Sequence, residues 1–282
     1  MNKKIPLLIF SFFIFFVAGL AVSVFPSPLN ILRVHFLGVG YGDAIFIQFP
    51  EGSTMMIDSG EEEYAANACR YLQSLGTAKI DTVVITHPHT NHFAGFKRIS
   101  EVFPVGRVFI NGDKNAEEGY FELLEGWRQK NIPVNVLKKG DKILPGGFSF
   151  KLLHPQKIKN VSANDNSLVC WLKYKNISLL FMGDIESEGQ KELLKNFKNI
   201  KEADVIKMPH HGGPVIDELV KKIQDKILII STGPNPWGLP QEGDMKKLRG
   251  KIYRTDQMGT IIVETDGRNV TVKPAKLQGL ND

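Results

Sequence analysis

The chain has 282 residues, of which 43% are hydrophobic and 23% are charged, an ordinary globular balance with length enough for one large domain. Its two cysteines, Cys69 and Cys170, are too few for a disulfide framework. Because both stand among apolar residues, we expect small core side chains, with a single disulfide as the alternative. The formal charge of +5 favours acidic partners such as nucleic acid or anionic lipid, although scattered surface lysines would give the same total.

The N-terminal segment predicts a membrane anchor. Lys3 and Lys4 precede an uncharged stretch, residues 5–25, whose length matches what a helix needs to cross the hydrocarbon core. A cleaved signal peptide is the alternative, with a small-residue site around Ala21. Either way, the positive flank keeps the N-terminus inside and sends the following domain outside the cytoplasmic membrane. We therefore expect residues 1–29 to be an anchor or signal segment with a short linker, and residues 30–282 to form one extracytoplasmic domain.

Apolar periodicity and turn residues predict strands mixed with helices along the rest of the chain. The first strand region, residues 31–48, is interrupted at Gly38, Gly40 and Gly42 by a turn or bulge. The predicted strands that follow span residues 54–57, 82–86, 107–110, 148–153, 168–174, 177–182, 205–208, 227–231, 252–265 and 269–273. The predicted helices span residues 61–75, 93–99, 120–130, 190–197 and 216–223. Strands and helices mixed throughout, with polar residues at strand ends, indicate a layered α/β domain.

Three of the seven histidines stand on one hexapeptide, residues 87–92 (His-Pro-His-Thr-Asn-His), directly after the apolar run 83–85. Imidazole is the commonest transition-metal ligand. A His-x-His pair projects both rings to one side of an extended backbone, and Pro88 fixes the chain between them. The hexapeptide therefore predicts half of a metal site. The alternative is a polar loop with exposed histidines.

The other half of the site is expected at the ends of later strands. One apolar run, residues 179–182, leads to Asp184, and another strand pattern, residues 203–208, leads to His210 and His211. Alone, a Gly-Asp pair after a strand is a weak signal, since such pairs commonly form turns. Nitrogen and carboxylate ligands without cysteines suit zinc, manganese or iron.

Residues 87–92 resemble the His-x-His-x-Asp-His signature of the metallo-β-lactamase superfamily. More narrowly, the chain is similar to the extracytoplasmic metallo-β-lactamase-like domain of ComEC-type DNA-internalisation competence proteins. The stretches that carry this resemblance run in family order: residues 34–44, 57–60, 87–92, 163–168, 181–186, 209–212 and 253–257. The resemblance implies a four-layer αββα sandwich with two mixed β-sheets, preceded here by the N-terminal transmembrane helix. The site would lie at the edge where the two sheets meet.

The resemblance also implies a set of site residues and one or two divalent metal ions, zinc or manganese. Its metal ligands would be His87, His89, His92, Asp165, Asp184 and His210. Its catalytic group would comprise Asn91, Asp184 and Asp256. Asp58 is expected to orient a ligand, with a helix-capping role as the alternative. His211 contacts substrate or satisfies a buried carbonyl, whereas His35 and His154 are interpreted as structural.

Two positions depart from the family pattern. Asn91 stands where the signature has aspartate, and Leu239 replaces the histidine of the family's Asn-Pro-Tyr-Gly-His-Pro stretch. An amide oxygen is a neutral, weaker ligand than a carboxylate, so Asn91 disfavours a second cation. The loss at Leu239 removes a polar side chain near the expected cleft.

These features predict a membrane-anchored, metal-dependent hydrolase that cleaves phosphodiesters, with single-stranded DNA as the expected substrate. One hydrophobic span cannot translocate DNA, so a separate channel protein is an expected partner. The first alternative, favoured by Asn91 and Leu239, is a degenerate domain that binds metal, DNA or protein without turnover. The second is a hydrolase on the same fold acting on cell-wall phosphodiesters or a small ester, since fold does not fix function.

Overall fold

The computed structural model of the chain describes residues 30–141, 143 and 148–275. Its strands are β1 (Leu32–Phe36), β2 (Ala44–Gln48), β3 (Thr54–Ser59), β4 (Thr82–Ile85), β5 (Val108–Ile110), β6 (Val134–Val136), β7 (Ser149–His154), β8 (Val169–Tyr174), β9 (Ile177–Phe181), β10 (Val205–Lys207), β11 (Lys226–Ile230), β12 (Gly250–Arg254), β13 (Ile261–Thr265) and β14 (Val270–Pro274). Its helices are α1 (Ala65–Ser74), α2 (Thr90–Phe93), α3 (Phe96–Val102), α4 (Tyr120–Gln129), α5 (Ser187–Asn196), α6 (Asp217–Val220), α7 (Glu242–Met245) and α8 (Thr255–Met258). The predicted anchor, residues 5–25, lies outside the described residues. Within the described ranges, no helix is both long and apolar enough to cross a membrane.

The strands form two mixed sheets. The first has the order β14-β13-β1-β2-β3-β4-β5-β6 and the second the order β12-β11-β10-β9-β8-β7. In the first sheet, β3 to β6 run parallel, and the remaining pairs are antiparallel. In the second, β9 to β12 run parallel, whereas β7, β8 and β9 pair antiparallel. This arrangement confirms the predicted α/β fold with two mixed sheets.

Three hydrophobic clusters define the layers. The central cluster packs one sheet on the other, with Val34 and Ile57 from the first sheet and Leu179 and Val205 from the second. The outer face of the first sheet packs against α1, α3 and α4, where Trp127 is fully buried. The outer face of the second sheet packs against α5 and α6. The resulting order of layers is helix, sheet, sheet, helix. Cys69 and Cys170 are buried free thiols, as expected.

Two predicted strand regions are each divided in the structure. Residues 31–48 form β1 and β2, which pair antiparallel across the glycine-rich loop. Residues 252–265 were predicted as one strand, but α8 interrupts them, so β12 lies in the second sheet and β13 in the first. The alternation of apolar residues does not reveal this crossover, because both halves are strands. β6 and α7 were not predicted, and both are very short.

Candidate metal centre

The candidate centre lies where the carboxyl ends of parallel strands from both sheets meet. From the first sheet, Asp58 lies near the end of β3 and the histidine turn follows β4. From the second, Asp184 follows β9, Lys207 ends β10, and His211 follows it. The histidine turn is the hexapeptide 87–92. The side chains of six residues of the centre are buried, namely Asp58, His87, His92, Asp184, Lys207 and His211, and that of His89 is partly buried.

A close approach of two loops adds a further carboxylate to the centre. Gly42 has φ +145°, and a Cβ there would lie 2.4 Å from the Asn91 carbonyl oxygen, so only glycine fits. The Asp43 N–H donates to that same carbonyl at 3.2 Å. Asp43 is 1% exposed, and its carboxylate lies among the ligand atoms of Asp184 and His211.

Three histidines are oriented by hydrogen bonds at Nδ1. His92 Nδ1 donates to Asp58 Oδ2 at 2.8 Å, and His211 Nδ1 donates to the Ser231 carbonyl at 3.0 Å. His87 Nδ1 lies 3.1 Å from Thr86 Oγ1, whose hydroxyl donates to Asp58 Oδ2 at 2.7 Å. Nδ1 is thus occupied on all three rings, so Nε2 is the nitrogen through which each ring would bind a metal. Outer hydrogen bonds of this kind fix the ring of a metal-binding histidine.

Asp184 is the carboxylate on which these rings converge. Its Oδ2 lies 3.1 Å from His92 Nε2 and 3.1 Å from His211 Nε2. Ligand atoms of His87, His92 and Asp184 lie within 4.8 Å of one another, as do those of Asp43, Asp184 and His211 and those of Asp43, Asp58 and His92. Asp184 therefore belongs to two overlapping groups, which suits the predicted position between two metals.

The centre requires positive charge. Burial lowers the pKa of His92, but Asp184 and Asp58 outweigh it and raise that pKa to about 10. Burial favours the neutral form of Asp184, but His211, His92 and Lys207 hold its pKa well below the usual range. Burial and the neighbouring His92 lower the pKa of His87 well below its ordinary value. Without metal, a proton on His92 supplies the charge that the carboxylates demand.

Lys207 places a fixed cation beside the centre. Its ammonium group is fully buried, forms an ion pair with Asp43, and lies 3.5 Å from Asp184 Oδ1. It also donates to the Gly183 carbonyl at 3.1 Å. Burial opposes the charged form, but Asp43 and Asp184 raise the pKa of Lys207. The lysine thereby compensates negative charge on Asp43 and Asp184.

The donor set fits a divalent metal ion. His87 Nε2 and His89 Nδ1 lie 3.1 Å apart, and His211 Nε2 lies 3.1 Å from Asp184 Oδ2. Among the described residues, Asp184 Oδ1 and Asp43 Oδ1 are buried without a hydrogen-bond partner. Buried acceptors without a partner are costly unless a cation lies among them. Imidazole nitrogens with carboxylate oxygens suit zinc or manganese.

The structure brings together four of the predicted ligands and replaces one. His87, His92 and Asp184 lie together and His89 contacts His87, whereas His211, not His210, is the histidine beside Asp184. His210 and His211 have φ of 47° and 55°, so the backbone turns left-handed and sends the two rings apart. His210 lines the cleft, with Nδ1 3.5 Å from Glu186 Oε1.

Asp165 and Asp256 have other partners. Asp165 Oδ1 accepts the backbone N–H groups of Glu186 at 2.9 Å and Gly189 at 2.7 Å, so it caps the start of α5 instead of joining the cluster. Asp256 forms two hydrogen bonds with Arg254, at 3.0 and 2.6 Å, outside the lining of the cleft. The predictions that placed these two carboxylates in the site are corrected on that ground.

Asn91 lies at the centre and contacts one of the candidate ligands, His211. Its Nδ2 donates to His211 Nε2 at 3.0 Å.

The two histidines predicted to be structural have structural contacts. His35 contacts Tyr71 and Gln48, and His154 donates to the Asp165 carbonyl.

Sequence reasoning missed Asp43 and Lys207. The signal for Lys207 was a charged residue within the apolar run of β10, where a buried strand tolerates a charge only with a partner. The signal for Asp43 was weaker, because a Gly-Asp pair in a glycine-rich loop is common.

The centre opens into a cleft of about 640 Å³. Its lining residues are Tyr41, Glu61, His89, Thr90, Asn91, Glu117, Asn164, Asp184, Glu186, Ser187, His210, Pro214, Trp237, Leu239 and Gln241. Within this described lining there is no lysine or arginine, and three glutamates stand around the mouth. The lysines and arginines of the described residues therefore lie outside this lining.

Comparison with known proteins identifies the family of this fold. The family model described as Metallo-beta-lactamase superfamily matches residues 37–233. The chain is 27% identical to ComE operon protein 3 of Bacillus subtilis over 261 residues, which cover 84% of this chain and 34% of that protein. It is 23% identical to competence protein ComA of Neisseria gonorrhoeae over 196 residues, 67% of this chain and 26% of that protein. The chain thus spans about a third or less of the length of these relatives.

A solved structure shows the same fold at low identity. The metallo-beta-lactamase fold protein YhfI from Bacillus subtilis superposes with a TM-score of 0.52 and 10% identity, covering 81% of this chain and 98% of that one. This likeness supports the two-sheet architecture and says nothing about substrate.

Proposed function

The chain belongs to the metallo-β-lactamase superfamily, and from this premise we propose that it is a metal-dependent hydrolase that cleaves phosphodiester bonds in nucleic acid. The observation that carries the proposal is the convergence of imidazole nitrogens on one buried carboxylate. His92 and His211 each place Nε2 3.1 Å from Asp184 Oδ2, and His87 is grouped with them. A buried set of this composition has no structural use that an apolar core would not serve better.

The residues that would hold the metal are His87, His89, His92, Asp184 and His211. A bound divalent cation supplies Lewis-acid activation of water and of a phosphoryl oxygen at neutral pH. Asp58 and Thr86 orient His92 and His87 through their Nδ1 atoms, and the Ser231 carbonyl does the same for His211. Lys207 holds Asp43 and Asp184 in place and reduces their mutual repulsion.

The choice of nucleic acid is supported by the relatives, one of which is named as a competence protein. We further propose that residues 30–282 form a single domain outside the cytoplasmic membrane, tethered by residues 5–25, and that a separate protein forms any channel.

One specific feature favours a second function, binding without turnover. Asn91 supplies no negative charge where the family signature has aspartate, and its amide caps His211 Nε2. A centre of this kind would retain metal or nucleic acid and hydrolyse nothing.

The test of the proposed function is metal content together with hydrolysis. The 282-residue chain, purified in detergent, is loaded with manganese or zinc, and its metal is measured by elemental analysis. We expect at least one equivalent of metal and cleavage of a generic phosphodiester such as bis(p-nitrophenyl) phosphate. The double variant His87→Ala/His89→Ala should lose both properties while keeping its circular dichroism spectrum, because turn residues contribute little to a core of this size.

Two outcomes would contradict the proposal. If the double variant kept its full metal content, the ligand assignment would be wrong. If the wild-type chain bound metal but cleaved no phosphodiester with any of several metals, the binding function would be correct.

A further inference from the structure

The mouth of the cleft carries an exposed tryptophan. Trp237 is 63% exposed, the largest exposed fraction among the big hydrophobic side chains that the structure describes. The chain's other two tryptophans, Trp127 and Trp171, are buried at 1% and 6% exposure. An exposed indole costs free energy in water, and exposed aromatic groups at a cleft commonly mark a binding surface.

The indole is supported from one side and held in place. Its ring packs on Tyr41 with centroids 4.7 Å apart and planes inclined at 32°. Tyr41 in turn lies 4.3 Å from the ring of His211. The loop is fixed because Asn235 Oδ1 accepts the N–H groups of Trp237 at 3.1 Å and Leu239 at 3.0 Å. A row of three rings therefore leads from the surface to the metal centre.

The charges around the cleft restrict what binds there. Glu61, Glu117 and Glu186 line the mouth, and the described lining contains no cationic side chain. A phosphate chain therefore gains no favourable ion pair from the protein at this opening. Affinity for a phosphodiester must come from the metal and from an uncharged part of the substrate.

Planar, uncharged nucleobases satisfy this requirement. We infer that Trp237 is a stacking platform for an unpaired nucleobase of the substrate, so that the centre acts on single-stranded nucleic acid. This inference rests on the proposed function. A base in a duplex is already stacked on its neighbours and cannot cover the indole without unpairing. Base–aromatic stacking tolerates any base, so we expect little sequence preference.

The first experiment compares steady-state cleavage of two single strands of equal length, an oligothymidylate and its abasic counterpart. For the manganese-loaded wild-type chain, KM for the abasic strand should be higher. Trp237→Ala should raise KM for the oligothymidylate by roughly 5- to 150-fold, the range given by stacking energies measured through alanine substitution, with kcat changed much less. The two strands should then become nearly equal substrates. Trp237→Phe should restore most of the difference, because it keeps an aromatic face.

A matched control uses another exposed aromatic residue. Phe121 is 50% exposed on α4 and does not line the cleft, so Phe121→Ala should leave both KM values unchanged.

The second experiment needs no catalysis. Because Trp237 is the exposed tryptophan, oligothymidylate added in the presence of EDTA should quench the exposed part of the emission, and Trp237→Phe should abolish that quenching. A duplex of the same length should quench much less. Raising the ionic strength should weaken quenching only slightly, since few phosphates are neutralised by the protein at this site.

The outcomes separate this inference from the proposed function. Equal KM values for both strands in a wild-type chain that cleaves them would overturn the stacking role and leave the hydrolase intact. Quenching by single strands in a chain that cleaves no phosphodiester would support stacking while the hydrolase fails. Emission that changes with protein concentration and not with oligonucleotide would assign Trp237 to contact between copies and overturn the inference.

Discussion

The turns after β4 and β10 present histidines to the same carboxylate by different means. His92 comes from the first sheet and His211 from the second, and each Nε2 lies 3.1 Å from Asp184 Oδ2. The first ring is supported by a buried carboxylate, Asp58, and the second by a neutral carbonyl, that of Ser231. The first turn is the start of a short helix, whereas the second passes through left-handed backbone at His210 and His211.

The difference shows how charge is divided across the centre. On the side of the first sheet, Asp184 and Asp58 raise the pKa of His92 to about 10 despite its burial, so the ring holds a proton that must leave when a metal binds. Asp43, from the loop between β1 and β2, is paired with Lys207 of β10, a cation that stays. The proton on His92 is therefore exchangeable with metal, whereas the charge of Lys207 is permanent.

Removing the permanent cation should have the largest effect on stability. Lys207→Met leaves Asp43 buried without its partner, and breaking a buried ion pair in this way costs about 3–5 kcal/mol. Urea unfolding of the metal-free chain should show that loss. Lys273→Met, at an exposed pair with Glu264, should cost only about 0–1 kcal/mol.

A double variant checks the cause of that loss. Lys207→Met/Asp43→Asn removes both charges and should recover part of the stability. If the double variant were less stable than Lys207→Met alone, the ion pair would not be the source of the effect.

The contrast between the turns also explains what the sequence could predict. The candidate ligands of the first turn are local in sequence, so the spacing of residues 87–92 indicates them. The choice between His210 and His211 depends on positive φ at two successive non-glycine residues, which composition does not indicate. Asp43 reaches the centre only because Gly42 packs against Asn91, a contact between distant loops. Likewise, the strand predictions for β4, β8 and β9 were close, while α8 and the transfer of β13 to the other sheet depend on tertiary packing.

Exchanging the two adjacent histidines for alanine tests the second turn directly. His211→Ala removes a ring that faces Asp184, so metal affinity should fall by more than the roughly 10–100-fold typical of changes in outer hydrogen bonds. His210→Ala should leave the bound metal unchanged, because that ring faces Glu186. Equilibrium dialysis with elemental analysis measures both. Loss of metal in His210→Ala alone would restore the assignment made from sequence.

Removing the carboxylate that supports the first turn should lower metal affinity by less than removing a ligand does, but by a measurable amount. In Asp58→Asn, an amide replaces the acceptor at His92 Nδ1, so the ring loses its fixed tautomer and some basicity. Metal affinity should fall roughly 10–100-fold. Asp81→Asn is the matched control, since Asp81 accepts the Thr54 N–H away from the centre, and it should leave affinity unchanged. Equal metal affinities for Asp58→Asn and the wild-type chain would mean that the His92 ring does not need a carboxylate at Nδ1.

The smallest effect is expected at Asn91, where the two turns touch. Its amide donates to His211 Nε2, and Asn91→Asp would place a negative charge there instead. Two cations a few ångströms apart repel each other and need that charge, whereas the first metal position already has its ligands. We therefore expect manganese stoichiometry to rise above the wild-type value, with faster phosphodiester cleavage.

The matched control for Asn91→Asp adds the same charge to the same cleft at another point. Asn164 lines the cleft and donates to Glu186 at 3.0 Å, without contact to His211. If stoichiometry rises in Asn91→Asp and not in Asn164→Asp, the position of the charge matters and the second turn is the incomplete half of the centre. A rise in both variants would show that the cleft merely attracts cations. If stoichiometry rises in neither variant, the centre accepts no second cation while Lys207 is present, and one metal is the full complement.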